Sequence, residues 1–194
     1  MAGHFEALPG GGAAVALDEV EISILRSLAV QLLELIGPGD EPVEGEDPLA
    51  ALFAEGPSEP PSDPALKRLF PDAYGDEDEE LRAAAADFRR YTENDLRARK
   101  REDALAVIRS LDALVSSGEG GAILKLTADE SRAWLGALND LRLTIGTRLE
   151  VTDEDESGDL YRLPDSDPRK PMVMAYLWLG ALQESLVETL MPGD

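Results

Sequence analysis

Apolar residues recur at intervals of three and four along most of this chain, and this periodicity constrains the fold more than any other feature. The clearest run covers 22–36, and runs of the same spacing cover 81–91, 96–115, 134–145 and 173–187. Such spacing places the apolar side chains on one face of a helix. The pattern therefore predicts a mainly α protein, a bundle of about six helices.

Several helix ends can be located from local chemistry. Asp18 followed by Glu21, and Thr127 followed by Glu130, are capping boxes, in which each side chain accepts a hydrogen bond from the other residue's backbone N–H. Proline cannot continue a helix, so the helix that Asp18 begins should end at Gly37-Pro38.

The remaining helix boundaries depend on weaker signals. Thr92, with Asp95 three residues later, predicts the start of a new helix within the region 81–115. Asp63-Pro64 predicts a short helix, Pro48–Phe53 another, and the last helix should span about 169–190.

A minor β component accompanies the helices. The runs His4–Leu8 and Ala13–Leu17 flank Pro9–Gly12, whose glycines allow the positive φ of a tight turn, so a small N-terminal β-hairpin is predicted. Ile123–Leu126 is predicted to form a short strand, and Thr147–Val151 to be extended.

The chain has 194 residues, which suits a single domain spanning 1–194. Two segments interrupt the apolar pattern. A stretch rich in proline and acidic residues at about 37–62 is predicted to be a linker or mobile insert, and about 152–168 is predicted to be an acidic loop.

The residue types present exclude several classes of site. The sequence contains no cysteine and one histidine, His4, so disulfides and thiolate metal sites are excluded, and most transition metals lack their usual ligands. The segment Asp153–Leu160 matches the opening of a calcium loop, but Pro164 stands where a bidentate Glu is required. We therefore expect no cofactor and no metal.

The charge balance limits the partners. Forty acidic residues against 18 basic ones give a formal net charge of −22, which repels nucleic acid and anionic membranes on average. DNA contact is therefore expected to be weak unless a partner assists it. The sequence shows neither a signal peptide nor an apolar run long enough to span a membrane, so a cytoplasmic location is expected.

One basic segment stands out in this acidic chain. Between Arg82 and Arg101, seven basic residues face three acidic ones. Arginine's planar fork binds carboxylate or phosphate through two hydrogen bonds, so the segment is a candidate partner- or phosphate-binding face. Its candidate residues are Arg89, Arg90, Arg97, Arg99, Lys100 and Arg101. The alternative is a solvated face neutralised by intramolecular ion pairs. A shared side for Arg89 and Arg101 requires a helix that does not break near Thr92.

Three blocks of sequence occur in a characteristic order: Asp63–Tyr74, Phe88–Lys100 and Trp134–Leu149, followed by a last helix with Trp178 and Gln183. Together they resemble an actinobacterial family described as a domain of unknown function, which includes oxidative-stress transcriptional regulators of the AosR type. The resemblance covers nearly the whole chain.

The resemblance implies a regulator that contacts the transcription machinery, through a sigma factor or an RNA polymerase subunit. In the characterised branch a cysteine pair senses oxidation. This chain has no cysteine, so that mechanism does not carry over.

The resulting hypothesis is a non-enzymatic transcriptional regulator. Two alternatives remain: an adaptor, for example in regulated proteolysis, and an enzyme that uses carboxylates and Mg²⁺. A homodimer also stays open, because the last helix is apolar over a wide arc.

Overall fold

The computed structural model describes residues 3–38, 55–115, 121–152 and 162–191. Over these residues the protein is mainly α, as predicted, with five helices instead of about six and one small antiparallel sheet. The elements in chain order are β1 (Glu6–Ala7), β2 (Ala13–Leu17), α1 (Glu19–Ile36), α2 (Pro64–Leu69), α3 (Glu79–Val115), β3 (Ala122–Leu126), α4 (Ala128–Arg148) and α5 (Lys170–Leu190).

The predicted hairpin and the predicted third strand form one sheet. β2 is the central strand, pairing antiparallel with β1 on one side and β3 on the other, in the register Ala13 opposite Leu126. The turn closes between Leu8 and Gly12, with Gly12 at a φ of 94°. An added Cβ at Gly12 would lie 2.2 Å from the carbonyl oxygen of Leu126, so this position requires glycine on two counts.

The local helix signals are confirmed. Asp18 and Glu21 form a complete capping box at the start of α1, and Thr127 and Glu130 form another at the start of α4. α1 ends at Gly37, whose N–H donates to Leu33. Asp63 caps α2 through its side chain, with Pro64 in the first turn.

The predicted helix boundary at Thr92 is wrong. α3 runs without interruption over 37 residues, and Thr92 lies in its interior. Its hydroxyl donates to the carbonyl of Phe88 one turn earlier, which satisfies the side chain without a cap. The segment therefore forms one long helix instead of two.

The end of α4 also differs from the prediction of an extended segment at Thr147–Val151. The helix continues to Arg148, and Glu150 adopts a φ of 57° while Val151 N donates to Gly146 O. This is a Schellman turn, with Glu150 in the position that glycine usually takes. The predicted helix at 48–53 and the calcium-like segment lie outside the described residues.

α4 is the central helix of the core and packs against α1, α2, α3 and α5. Its Trp134 is 1% exposed, stands edge-on to Phe5 at 6.0 Å between ring centroids, and donates to Ser110 Oγ. Trp134 is thus a core residue, and Trp178 is partly buried against the same core. None of the helices described has the length and apolar content needed to cross a membrane.

We expect Gly12→Ala to lower the free energy of unfolding by roughly 3 kcal/mol or more, because positive φ and steric overlap with Leu126 act together. Gly10 is the matched control: its φ is 91° but no atom lies within 4 Å of an added Cβ. Gly10→Ala should cost only about 1–2 kcal/mol. Urea unfolding of both variants tests this, and equal losses would contradict the packing argument.

Candidate interaction surface

The continuity of α3 settles where the basic residues point. At 100° per residue, Arg89, Glu93, Arg97 and Lys100 fall within about 80° of one another, with Arg101 next to them. This side of the helix faces the protein interior: Arg89 is 4% exposed and Glu93 is 3% exposed. The basic segment is therefore largely a packing face.

An ion network occupies the centre of this face. Glu93 accepts hydrogen bonds from Arg89 and, at 2.7 Å, from Nη2 of Arg97. Nη2 of Arg89 also donates to the backbone carbonyl of Phe70 and to Asp72, both at 2.9 Å. Burial lowers the pKa of the Arg89 guanidinium, but Asp72 and Glu93 outweigh it and raise the pKa above its ordinary value. Arg89 is thus charged and has several partners.

Two of the arginines bind the end of α1. Nη1 of Arg97 donates to the carbonyl of Ile36, and Nη1 of Arg101 donates to the carbonyl of Gly37. α1 has no basic residue in its own last turn. Because the C-terminal end of a helix carries partial negative charge and unpaired carbonyls, these guanidiniums stabilise it from another helix.

Lys100 joins α3 to α4. Its Nζ lies 2.6 Å from Oδ1 of Asp140, a carboxylate that is 2% exposed. Burial raises the pKa of Asp140, and Lys100 opposes this shift. Burial likewise raises the pKa of the neighbouring Asp103. The Lys100–Asp140 pair therefore keeps a buried charge compensated.

The other two candidates lie nearer to solvent. Arg90 pairs with Asp87 and, at 3.4 Å, with Glu55, and its guanidinium lies 5.5 Å from the centre of the Tyr91 ring. Arg99 is exposed, and no carboxylate of the described residues lies within the 4.0 Å of an ion pair.

The structure thus brings Arg89, Arg97, Lys100 and Arg101 to intramolecular partners and leaves Arg99 facing solvent. These four residues, and Arg90, make the intramolecular contacts that are expected from the alternative interpretation of the basic segment, in which ion pairs within the protein neutralise it. Partner or phosphate binding by the six residues stays a prediction.

Sequence reasoning missed an exposed aromatic surface on the opposite side of α3. Phe88 is 49% exposed and Tyr91 is 68% exposed, and Phe88 stands edge-on to Tyr74, itself 49% exposed, at 6.3 Å. Arg99 lies on the same side, within about 80° of both α3 aromatics. We call Tyr74, Phe88, Tyr91 and Arg99 the aromatic face. The unbroken register of α3 was the signal that could have revealed it.

The described residues contain no group of three or more carboxylate or histidine side chains arranged to hold a metal ion.

A family model described as a domain of unknown function, DUF2017, matches residues 2–190. A protein of Mycobacterium tuberculosis (strain ATCC 25618 / H37Rv) named oxidative stress regulator AosR is 30% identical over 176 residues, which are 88% of this chain and 78% of that protein. A protein of Mycobacterium leprae (strain TN) that also carries the AosR name is 32% identical over 176 residues, 88% of this chain and 79% of its own. No solved structure matches this chain significantly.

The ion network predicts a large effect of Glu93→Ala, which leaves two arginines without their shared carboxylate. We expect the free energy of unfolding to fall by about 3–5 kcal/mol, as when one member of a buried pair is removed. Glu102→Ala is the matched control on the same helix, since Glu102 pairs with Arg109 and both side chains are more than half exposed. It should cost within about 1 kcal/mol. Similar losses in urea unfolding would rule out the structural role of Glu93.

Lys100→Met should give a pH-dependent loss, because Asp140 then has no cation beside it. The folded-state pKa of Asp140, already raised by burial, rises further. A raised folded-state pKa favours folding at low pH, and that contribution is lost as pH rises through the folded pKa. The variant should therefore be destabilised by about 3–5 kcal/mol at neutral pH and by less in acid.

Urea unfolding across the pH range checks this expectation, with the double variant Lys100→Met/Asp140→Asn as the control. The double variant has no buried carboxylate at this position, so the difference between neutral and acidic pH should largely disappear. An identical loss at every pH for Lys100→Met alone would contradict the assignment.

Proposed function

The chain belongs to the DUF2017 family, and on that premise we propose that it is a non-enzymatic, stress-responsive regulator of transcription. It acts in the cytoplasm by direct contact with the transcription machinery, through a sigma factor or an RNA polymerase subunit. DNA contact, where it occurs, is assisted by that partner.

The observation that carries the proposal is the likeness, over 88% of this chain, to proteins named oxidative stress regulator AosR. The aligned region covers 78–79% of those relatives as well, so most of their length has a counterpart here. A shared role in regulation is the simplest account of a likeness this extensive.

The aromatic face supports binding to a protein. Tyrosine and arginine are enriched among the residues that dominate binding energy at protein interfaces, and large aromatic rings bury much area at low entropic cost. Tyr91 and Phe88 are exposed on a helix whose opposite side is fixed by buried ion pairs. The face is therefore presented rigidly.

The charge of the chain supports a protein partner over DNA alone. The net charge is −22, and the arginines that could bind phosphate are largely engaged within the protein. A protein gains affinity for DNA when free Lys and Arg displace counterions. Arg89 and Arg97 do not have that freedom.

A cysteine-free regulator needs a signal other than thiol oxidation. The sequence contains no cysteine, so neither a disulfide nor a sulfenic acid can form. We propose that the stress signal reaches this protein through its partner or through a bound ligand.

The test is an affinity pull-down from a lysate of the native host, with wild type beside a Phe88→Ala/Tyr91→Ala variant. We expect sigma factor or polymerase subunits to be recovered with wild type and to fall at least about tenfold with the variant, because exposed aromatic contacts of this kind act as hot spots. Circular dichroism and urea unfolding confirm that the variant folds.

A Val20→Ser/Ile24→Ser variant is the matched control, since both side chains are exposed and apolar. α1 and α3 are antiparallel, with Arg26 beside Asp112 and Ile36 beside Arg97, so Val20 lies far from Phe88. Loss of the partner with this control too would reject the aromatic face. Recovery of protease components instead of polymerase would favour the adaptor alternative and reject the transcriptional role.

A further inference from the structure

An open cavity of about 550 Å³ lies where α2, α4 and α5 meet. Arg68 from the last turn of α2, Arg142 from α4 and Tyr176 from α5 line it, together with Glu150 from the turn after α4. Its volume falls within the range of about 300–1,000 Å³ that is typical of small-molecule sites. The cavity is separate from the aromatic face, because none of that face's residues lines it.

The two arginines of this cavity differ from most others in the described residues. Arg26, Arg89 and Arg132, for example, each have a carboxylate oxygen within ion-pair distance. Among the residues that the structure places, neither Arg68 nor Arg142 has one within 4.0 Å. Two positive charges thus line one cavity of a chain whose net charge is −22, and no carboxylate of the described residues pairs with either of them.

Arg142 is held in place by neutral groups. Its Nη1 donates to Oε1 of Gln183 at 2.7 Å, and the guanidinium lies 5.2 Å from the centre of the Tyr176 ring. Gly146 makes room for that ring, since an added Cβ would lie 3.2 Å from Cε2 of Tyr176. The buried Nε of Arg142 has no hydrogen-bond partner in the described part of the chain. The positive charge is therefore held in place by neutral groups, and no carboxylate of the described ranges neutralises it.

Glu150 adds a backbone feature at the same place. It takes a φ of 57°, a left-handed conformation that non-glycine residues rarely adopt, and the residue lines the cavity. Its carboxylate does not reach ion-pair distance of Arg68 or Arg142. A bound anion would lie near it, so Glu150 limits the affinity for such a ligand.

From these observations we infer that the cavity binds a small organic anion, whose oxyanion group contacts the guanidiniums of Arg68 and Arg142. Carboxylate and phosphate share the planar array of acceptor oxygens that a guanidinium fork recognises. Leu143 and Val151 line the same cavity and supply apolar contact for the rest of the ligand.

The inference rests on the proposed function in one respect only, the role of the ligand. In a regulator that has no cysteine, the bound anion would be the signal. Binding itself is a property of the isolated chain. Anion binding can therefore be absent while the pull-down recovers the partner, and the pull-down can fail while the anion binds.

The test measures binding of succinate and of inorganic phosphate to the full chain by isothermal titration calorimetry, with sodium chloride at equal ionic strength as the reference. Arg68→Gln should weaken binding at least about tenfold, because it removes a charge-assisted contact. Lys67→Gln is the matched control: it removes one positive charge from the same turn of α2, and Lys67 is exposed like Arg68 but does not line the cavity.

Glu150→Gln gives a prediction of opposite sign. Removing this carboxylate should strengthen binding of the same probe several-fold, because it relieves repulsion of the anion. A preference for succinate or for phosphate identifies which oxyanion the site takes.

Three outcomes would overturn the inference. The first is no binding of either probe beyond the chloride reference. The second is equal weakening by Arg68→Gln and Lys67→Gln, which indicates a general field effect. The third is weaker or unchanged binding with Glu150→Gln, which places the anion elsewhere.

Discussion

The carboxylate of Glu93 lies between the guanidiniums of Arg89 and Arg97 in the protein interior, and the arrangement of three helices depends on it. Arg89 also donates a hydrogen bond to the carbonyl of Phe70 at the end of α2. Arg97 also donates one to the carbonyl of Ile36 at the end of α1. A buried charge is tolerated only when its partners are in place. The network therefore fixes α1, α2 and α3 relative to one another.

This use of arginine bears on function. Local surplus of positive charge in an acidic chain suggests a binding face, yet here Arg89 and Arg97 neutralise Glu93 and helix ends within the molecule. Among its charged and polar side chains, α3 also exposes two aromatic rings, those of Phe88 and Tyr91. Protein contact is the chemistry that such a surface supports best.

Features set by neighbouring residues could be predicted from the sequence, and features set by distant residues could not. The capping boxes at Asp18 and Thr127 depend on residues three positions apart, and both were predicted correctly. Thr92 presents the same local signal, but tertiary packing of α3 overrides it. The partners of Arg97 include a carbonyl 61 residues away, which periodicity does not reveal. The basic segment is visible in the sequence, while the contacts of its individual residues required the fold.

The uninterrupted length of α3 has a mechanical consequence. At 1.5 Å per residue, its 37 residues span about 55 Å. The helix contains no proline or glycine, the residues at which helices most often kink. It is attached to α1 at two places, through Arg97 at Ile36 and through Asp112 at Arg26. We therefore expect α1 and α3 to move as one body, which carries Phe88 and Tyr91 with it.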